Sequence, residues 1–397
     1  MDIPQLDLDK VSTERRTIIV SQYGAFHGRS GAEAAHESGL LKHFVTNNCT
    51  YTNVPSDYIE KTSRLDDIVP IALRVLGKAT NSPSLIKYAR EYGNHQFIER
   101  TSKLINSQIN VFHAYSSFHE KCWNVCDAFG VKKFIDFGIA HPHFLNNIIR
   151  EEGERLGIEV FDDPNLQRSI DELDAVDLIF IPSSFVKRTF DENGHKKINL
   201  VLNHYGVNHG YFFSKKQYQN QGPLRVATAG LMNLRKGHYY LLEAVQQLRR
   251  ENLPIQLYMF GNPVPNMTNF FSRYRYTWEH QGNVPHHQLI DWYANIDVFV
   301  LPSLAEGMSR AVLEAMACGV PCIVTPNCGY NELIIDGQNG HIVPIRDIDD
   351  LKEKLVSLYK HREKLVSMSK LARETALNNS WSRYKETLVS YYLKYLK

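Results

Sequence analysis

A chain of 397 residues exceeds what one hydrophobic core usually serves, so two domains are expected. Lys and Arg number 45 against 43 Asp and Glu, and a net charge of +2 lacks the basic excess that a dedicated nucleic-acid binder concentrates on one face. With 43% hydrophobic and 22% charged residues the balance is that of a soluble globular protein, and no apolar run approaches the roughly 20 residues of a membrane-spanning helix.

Met1 to Arg16 is polar and carries acids, which predicts a short lead-in and not a secretory signal. Thr17-Ile18-Ile19-Val20 reads as a buried strand that enters the loop Tyr23-Gly24-Ala25-Phe26-His27-Gly28, where Gly24 allows close backbone approach. From about Ile68 to Ile105 the pattern is helical, with Arg74, Lys78, Lys87 and Arg90 among apolar and aromatic residues. A solvated face accounts for this stretch; the competing reading is a basic face for a lipid-linked acceptor and a peripheral membrane contact. Val111-Phe112-His113, Lys133-Phe134-Ile135 and Leu178-Ile179-Phe180-Ile181 read as further strands. The last runs into Pro182-Ser183-Ser184-Phe185, a strand-to-helix turn with a serine able to cap the helix. Cys122 and Cys126 stand one helical turn apart, as a metal pair would. The six cysteines show no C-x-x-C spacing, however, and read as small core residues of a reducing cytoplasm.

Composition turns linker-like between Asn203 and Gly222, and a second α/β pattern then begins. Leu224 to Ala229 is a strand, Gly237 to Arg250 a helix with Leu241, Leu242, Val245 and Leu248 on one face, and Ile255 to Phe260 a strand ending at Gly261. Val298-Phe299-Val300-Leu301 and Cys322-Ile323-Val324 follow as strands, and Trp381 to Lys397 is an aromatic-rich helical pattern. The expected division is 1–205, 206–378, and a helix over 379–397 that packs back across both domains. Alternating strands and helices of this kind predict parallel sheets in α/β layers.

The densest chemistry lies between Leu301 and Thr325. A strand ends at Leu301, Pro302 to Met308 turns, and a helix starts near Ser309. Glu306 sits in the loop at the strand's carboxyl end, where open α/β sheets bind ligands, and Glu314 lies within the helix. The amides of Gly307, Met308 and Ser309 between them suit an anion, aided by the helix dipole. A diphosphate flanked by two hydroxylated rings fits this spacing, one ring on each carboxylate; either glutamate alone would pass for a surface charge. A second strand-to-helix loop, Ala229-Gly230-Leu231-Met232-Asn233-Leu234-Arg235-Lys236-Gly237, offers an ammonium at Lys236 and a bidentate guanidinium at Arg235. Asp347-Ile348-Asp349 has the look of a metal-binding D-x-D but precedes a helical pattern, so capping explains it better.

These segments resemble the family 4 group of retaining glycosyltransferases. The match runs in order through Tyr205-Gly206-Val207-Asn208…Phe212, Gly230…Lys236-Gly237, Gly282-Asn283-Val284, Tyr293…Asp297 to Ser303, Glu306 to Glu314, Gly329…Glu332 and Asp336-Gly337…Asn339-Gly340, and more loosely through the first half. The resemblance implies the GT-B fold, two Rossmann-like domains whose parallel sheets face a central cleft. It implies transfer of a sugar with retention from a nucleotide-sugar donor to a glycan or lipid-linked acceptor, with no cofactor, no divalent metal and no nucleic acid, in cytoplasmic polysaccharide or glycolipid synthesis. Donor contacts fall on Gly24, Gly230, Arg235, Lys236, Gly261, Val284, Glu306, Gly307, Met308, Ser309 and Glu314. Glu314 would hold the ribose, Glu306 the sugar hydroxyls, and Lys236 the diphosphate. Relatives carry an arginine where this chain has Leu231, and Arg235 is the candidate to supply that charge. In the first domain the family places a histidine near the reaction centre; His113 and the Asp136…His141-Pro142-His143 segment are candidates, with Asp136 and His141 favoured as catalytic. A sugar-nucleotide epimerase of the same fold and a non-catalytic nucleotide-sugar-binding module are the alternatives. A dinucleotide dehydrogenase would need G-x-G-x-x-G after the first strand, and Gly24, Gly28 and Gly31 are wrongly spaced for it.

Overall fold

The structure, a computed structural model, describes residues 17–23, 27–47, 54–61, 72, 75–76, 80, 82–115, 119–195, 198–208, 210, 212, 218 and 221–396. The expected lead-in Met1 to Arg16, the loop glycine Gly24, and Arg74 and Lys78 lie outside the described residues, as do the side chains of Lys87 and Arg90.

Two parallel sheets organise the chain. The first contains β1 (Ile18–Gln22), β2 (Leu41–Thr46), β3 (Ile59–Lys61), β4 (Val111–Tyr115), β5 (Lys132–Asp136), β6 (Leu178–Ile181) and β7 (Leu200–Leu202) in the order β3-β2-β1-β4-β5-β6-β7. The second contains β8 (Leu224–Ala229), β9 (Ile255–Phe260), β10 (Glu279–Gly282), β11 (Val298–Leu301), β12 (Cys322–Val324) and β13 (Gly340–Ile342) in the order β10-β9-β8-β11-β12-β13. In both, the chain winds outward from one central strand and then returns to that strand's other side. This leaves a switch point between β1 and β4 and another between β8 and β11, where loops diverge and a crevice opens. The central strands are predominantly apolar and buried along their length, as strands covered on both faces must be.

Ordinary local signals end the helices. Ser183 accepts from the Val186 amide at the start of Ser184–Glu192, and Asp347 accepts from the Asp350 amide at the start of Ile348–Lys360. Asp347 therefore acts as a cap. Among the described residues no helix is long and apolar enough to cross a membrane, and no group of three or more His, Cys, Asp or Glu is placed to hold a metal ion.

The chain passes between the sheets at two places that lie side by side. Val207 bridges Ser380, and the Val207 amide donates to the Asn379 carbonyl at 3.0 Å. Beyond that crossing the closing helix, Trp381–Lys394, lies on the first sheet's side of the molecule. The buried hydroxyl of its Tyr384 donates to Asp136 at 2.6 Å, and that of its Tyr392 meets His113 Nδ1 at 2.7 Å.

Candidate active site

The second sheet gathers the predicted donor residues at its carboxyl edge. Gly230 ends β8 at φ +129°, a value open to glycine, and the Lys236 side chain fills the place a Cβ there would take, with Nζ 3.3 Å from that point. The neighbouring Gly261 amide donates to the Gly282 carbonyl at 2.7 Å, which ties the ends of β9 and β10 together next to half-buried Val284. A short 3₁₀ turn, Leu234–Lys236, capped by the Asn233 side chain, aims Arg235 and Lys236 across to the loop after β11.

There the two cations meet Glu306. Lys236 Nζ stands 2.8 Å and Arg235 Nη1 2.5 Å from the same oxygen, Oε1, which also accepts from the Ser303 hydroxyl at 3.1 Å. Glu306 is 7% exposed. Burial alone would raise its carboxyl, but the Lys236 ammonium and then the Arg235 guanidinium outweigh it and hold the group at about 2. The loop that carries it is rigidly held: the Glu306 amide donates to the Asn327 carbonyl at 2.8 Å, and the Asn327 side chain donates to Leu304 O at 2.8 Å. Arg235 also donates to Ala305 O at 2.7 Å, so its guanidinium is part of this cluster while Leu231 stands half exposed.

Gly307, Met308 and Ser309 lead into helix Arg310–Ala317, whose N-cap is Ser309 and which carries buried Glu314 just over one turn along. Among the described residues the amides of Gly307, Met308 and Ser309 have no hydrogen-bond acceptor. Two cations, three amides with no acceptor among the described residues and a helix N-terminus thus lie close together. Such a spot attracts a polyanion, and two carboxylates flank it for hydroxyl groups.

The first domain closes over it. A Cβ on Gly307 would lie 2.0 Å from the Gly138 carbonyl oxygen, so the turn after β5 sits directly on the residue after Glu306. Ser183 Oγ donates to Gly307 O at 2.7 Å, and the Glu332 carboxylate accepts from the Ser184 amide at 2.7 Å. Farther out, buried Glu152 accepts from Tyr240 at 2.5 Å and from Arg346 at 2.8 Å.

Of the first-domain candidates, Asp136 lies next to this closure in the chain, two residues before Gly138. Its partner is neither His141 nor His113. His141 is buried at the N-cap of Pro142–Leu156, its Nδ1 accepting from the His143 amide and its Nε2 2.7 Å from His195, so both its nitrogens are taken up away from Asp136. His113 is wholly buried under Tyr392, and burial pushes it down to about 3. The residue beside Asp136 is His27, with Nε2 2.8 Å from Oδ1. Sequence reasoning passed over it although it stands in the loop after β1; its contact depends on β5, 109 positions away.

Residues 223–361 match the family model described as Glycosyl transferases group 1. An uncharacterized glycosyltransferase of Methanocaldococcus jannaschii is 26% identical over 208 residues, 52% of this chain and 56% of its own length. A D-inositol 3-phosphate glycosyltransferase of Paenarthrobacter aurescens is 34% identical over 113 residues, 28% of each chain. The matched stretch thus spans about half or less of these curated relatives. Sucrose-phosphate synthase from Thermosynechococcus elongatus superposes with a TM-score of 0.67 at 16% identity, over 96% of this chain and 99% of its own. HepE of Anabaena, solved with UDP, gives 0.63 at 14% identity, over 96% and 100%. At such identities the likeness establishes the fold, which is the two-domain GT-B architecture.

Proposed function

From the premise that residues 223–361 are a group 1 glycosyltransferase domain in a GT-B fold, we propose that the chain transfers a sugar, with retention and without a divalent metal, from a nucleotide-sugar donor to a hydroxyl of a glycan or lipid-linked acceptor. One observation carries the reading: Lys236 and Arg235 converge on Glu306 at the N-terminus of helix Arg310–Ala317. In the absence of donor Glu306 offsets one of the two cationic charges. A bound diphosphate takes over the two cations and the three free amides, and the Glu306 carboxylate is released toward the sugar's hydroxyls. Glu314 holds the ribose.

Chemistry at such a site is electrostatic. As the anomeric C–O bond breaks, negative charge grows on the departing phosphate, and fixed cations and amides stabilise it most in that moment. The acceptor hydroxyl attacks from the face the nucleotide leaves, and its proton passes to the departing phosphate oxygen. Positioning supplies the rest.

The test is a panel of UDP-, GDP-, ADP- and dTDP-sugars scored by thermal stabilisation in EDTA. A donor at 100 times its dissociation constant stabilises by about 2.7 kcal/mol. One clear hit, abolished in Glu314→Ala and followed by release of nucleoside diphosphate, supports the assignment. No shift with any donor refutes it.

A further inference from the structure

We propose that His27 binds the acceptor, accepting a hydrogen bond through Nδ1 from an acceptor hydroxyl next to the one that attacks. The inference rests on the sugar-transfer reading above and assigns the first-domain side of that site.

A carboxylate can only accept, so the 2.8 Å contact between His27 Nε2 and Asp136 Oδ1 makes Nε2 the protonated nitrogen. Nδ1 is left with a lone pair and, among the described residues, without a partner. The orientation is fixed from every side. Asp136 is itself held through Oδ2 by the Tyr384 hydroxyl at 2.6 Å, and Tyr115 meets that hydroxyl at 3.0 Å. The imidazole packs among the rings of Tyr205 at 4.3 Å, Tyr115 at 5.2 Å, Tyr384 at 5.8 Å and Trp381 at 6.1 Å. Its side chain is nonetheless 11% exposed, against 2% for Asp136.

Location decides what meets that lone pair. The loop after β1 lies at the first sheet's switch point, and Gly138, two residues past Asp136, touches Gly307 beside Glu306. Among the described residues the cations, amides and carboxylates suited to the donor come from the second domain. A preset hydrogen-bond acceptor on the opposite wall therefore faces the other substrate. Because it engages a neighbouring hydroxyl, the attacking one keeps its proton for the departing phosphate. The new bond joins the acceptor oxygen to the anomeric carbon as the carbon–phosphate oxygen bond breaks, and no proton stays on His27.

Water has no second hydroxyl, and this separates the two halves of the site. Nucleoside diphosphate release would be measured with the best-stabilising nucleotide sugar, first with water alone and then with glycerol and a set of methyl α- and β-glycosides. In the wild type some of these acceptors should raise release above the rate with water. In His27→Ala the donor's thermal stabilisation and the water reaction should stay within about threefold of wild type. The acceptor-stimulated rate should fall about tenfold to a hundredfold, through the acceptor KM before kcat. His27→Asn, whose amide oxygen reaches the place of Nδ1, should recover part of the loss; Asp136→Asn should follow His27→Ala, and Tyr384→Phe should fall between. Equal losses in the Asn and Ala variants, lost donor stabilisation in His27→Ala, or a wild type that hydrolyses donor but answers to no hydroxylated acceptor would each overturn the inference while leaving the donor site standing. A wild type that no nucleotide sugar stabilises defeats the transferase reading itself.

Discussion

Gly307→Ala tests whether the contact between the domains is the working geometry. The added Cβ would stand 2.0 Å from Gly138 O and 3.0 Å from Pro182 Cγ, whereas real Cβ atoms essentially never come within 3.0 Å. The turn after β5 must therefore retreat by about 1 Å. Asp136 and His27 withdraw with it, and a 1 Å misplacement costs up to about 10²-fold in rate. The amide at position 307 persists in the alanine variant, and Lys236, Glu306 and Glu314 all belong to the second domain, so donor binding should be retained. The assay pairs nucleoside diphosphate release with donor-induced thermal stabilisation. The expected result is turnover reduced about 30- to 100-fold with donor stabilisation within about 0.5 kcal/mol of wild type. Turnover within threefold would refute the reasoning, because the reaction would then not need this contact.

Further outcomes follow from the charges and the buried histidines. Glu306, held at about 2 instead of its ordinary 4.5, contributes about 3 kcal/mol that is present above pH 4.5 and lost as pH falls toward 2; urea denaturation of Glu306→Gln should show that deficit at pH 7 and a shrinking one below pH 4.5. His113 and His238 are buried and pushed down from 6.5 to about 3, so the unfolded chain takes up their protons first. Each should therefore cost about 2 kcal/mol of stability between pH 6.5 and 5, and His113→Phe should flatten the measured slope by about half of their joint share. Tyr240→Phe removes the hydroxyl that meets buried Glu152 from across the domains, and thermal unfolding should report a loss of about 1–2 kcal/mol. An unchanged midpoint would show that this clasp does not stabilise the closed pair.

Much of the scaffold was legible because parallel strands buried on both faces spell themselves out in apolar runs, as Ile18 to Val20, Leu178 to Ile181 and Val298 to Leu301 do. The strands the sequence reading did not name lie mostly at sheet edges or are short. Glu279-His280-Gln281-Gly282 is polar because one side faces water, and Leu200–Leu202 and Gly340–Ile342 are three residues each. In the second domain, Lys236 and Glu306 sit at strand ends flanked by turn glycines, so local chemistry marks them. The histidines of the first domain carry no local mark that separates them, and the distinction is tertiary: His141 caps the start of a helix, His113 fills the core, and His27 finds Asp136. Periodicity carries no trace of such pairings.

The closing helix has a further consequence for how the protein is made. Tyr384 reaches Asp136 across 248 residues of chain, and at a synthesis rate of about 5–20 residues per second that stretch takes about 12 to 50 s. During that interval the first sheet has been translated, but Asp136 and the cage around His27 lack their last walls, and the aromatic surface meant for Tyr384, Leu388 and Tyr392 is uncovered. The nascent first domain therefore keeps that surface uncovered until residues 381–394 have been synthesised, and a ribosome stalled within the second domain prolongs the exposure.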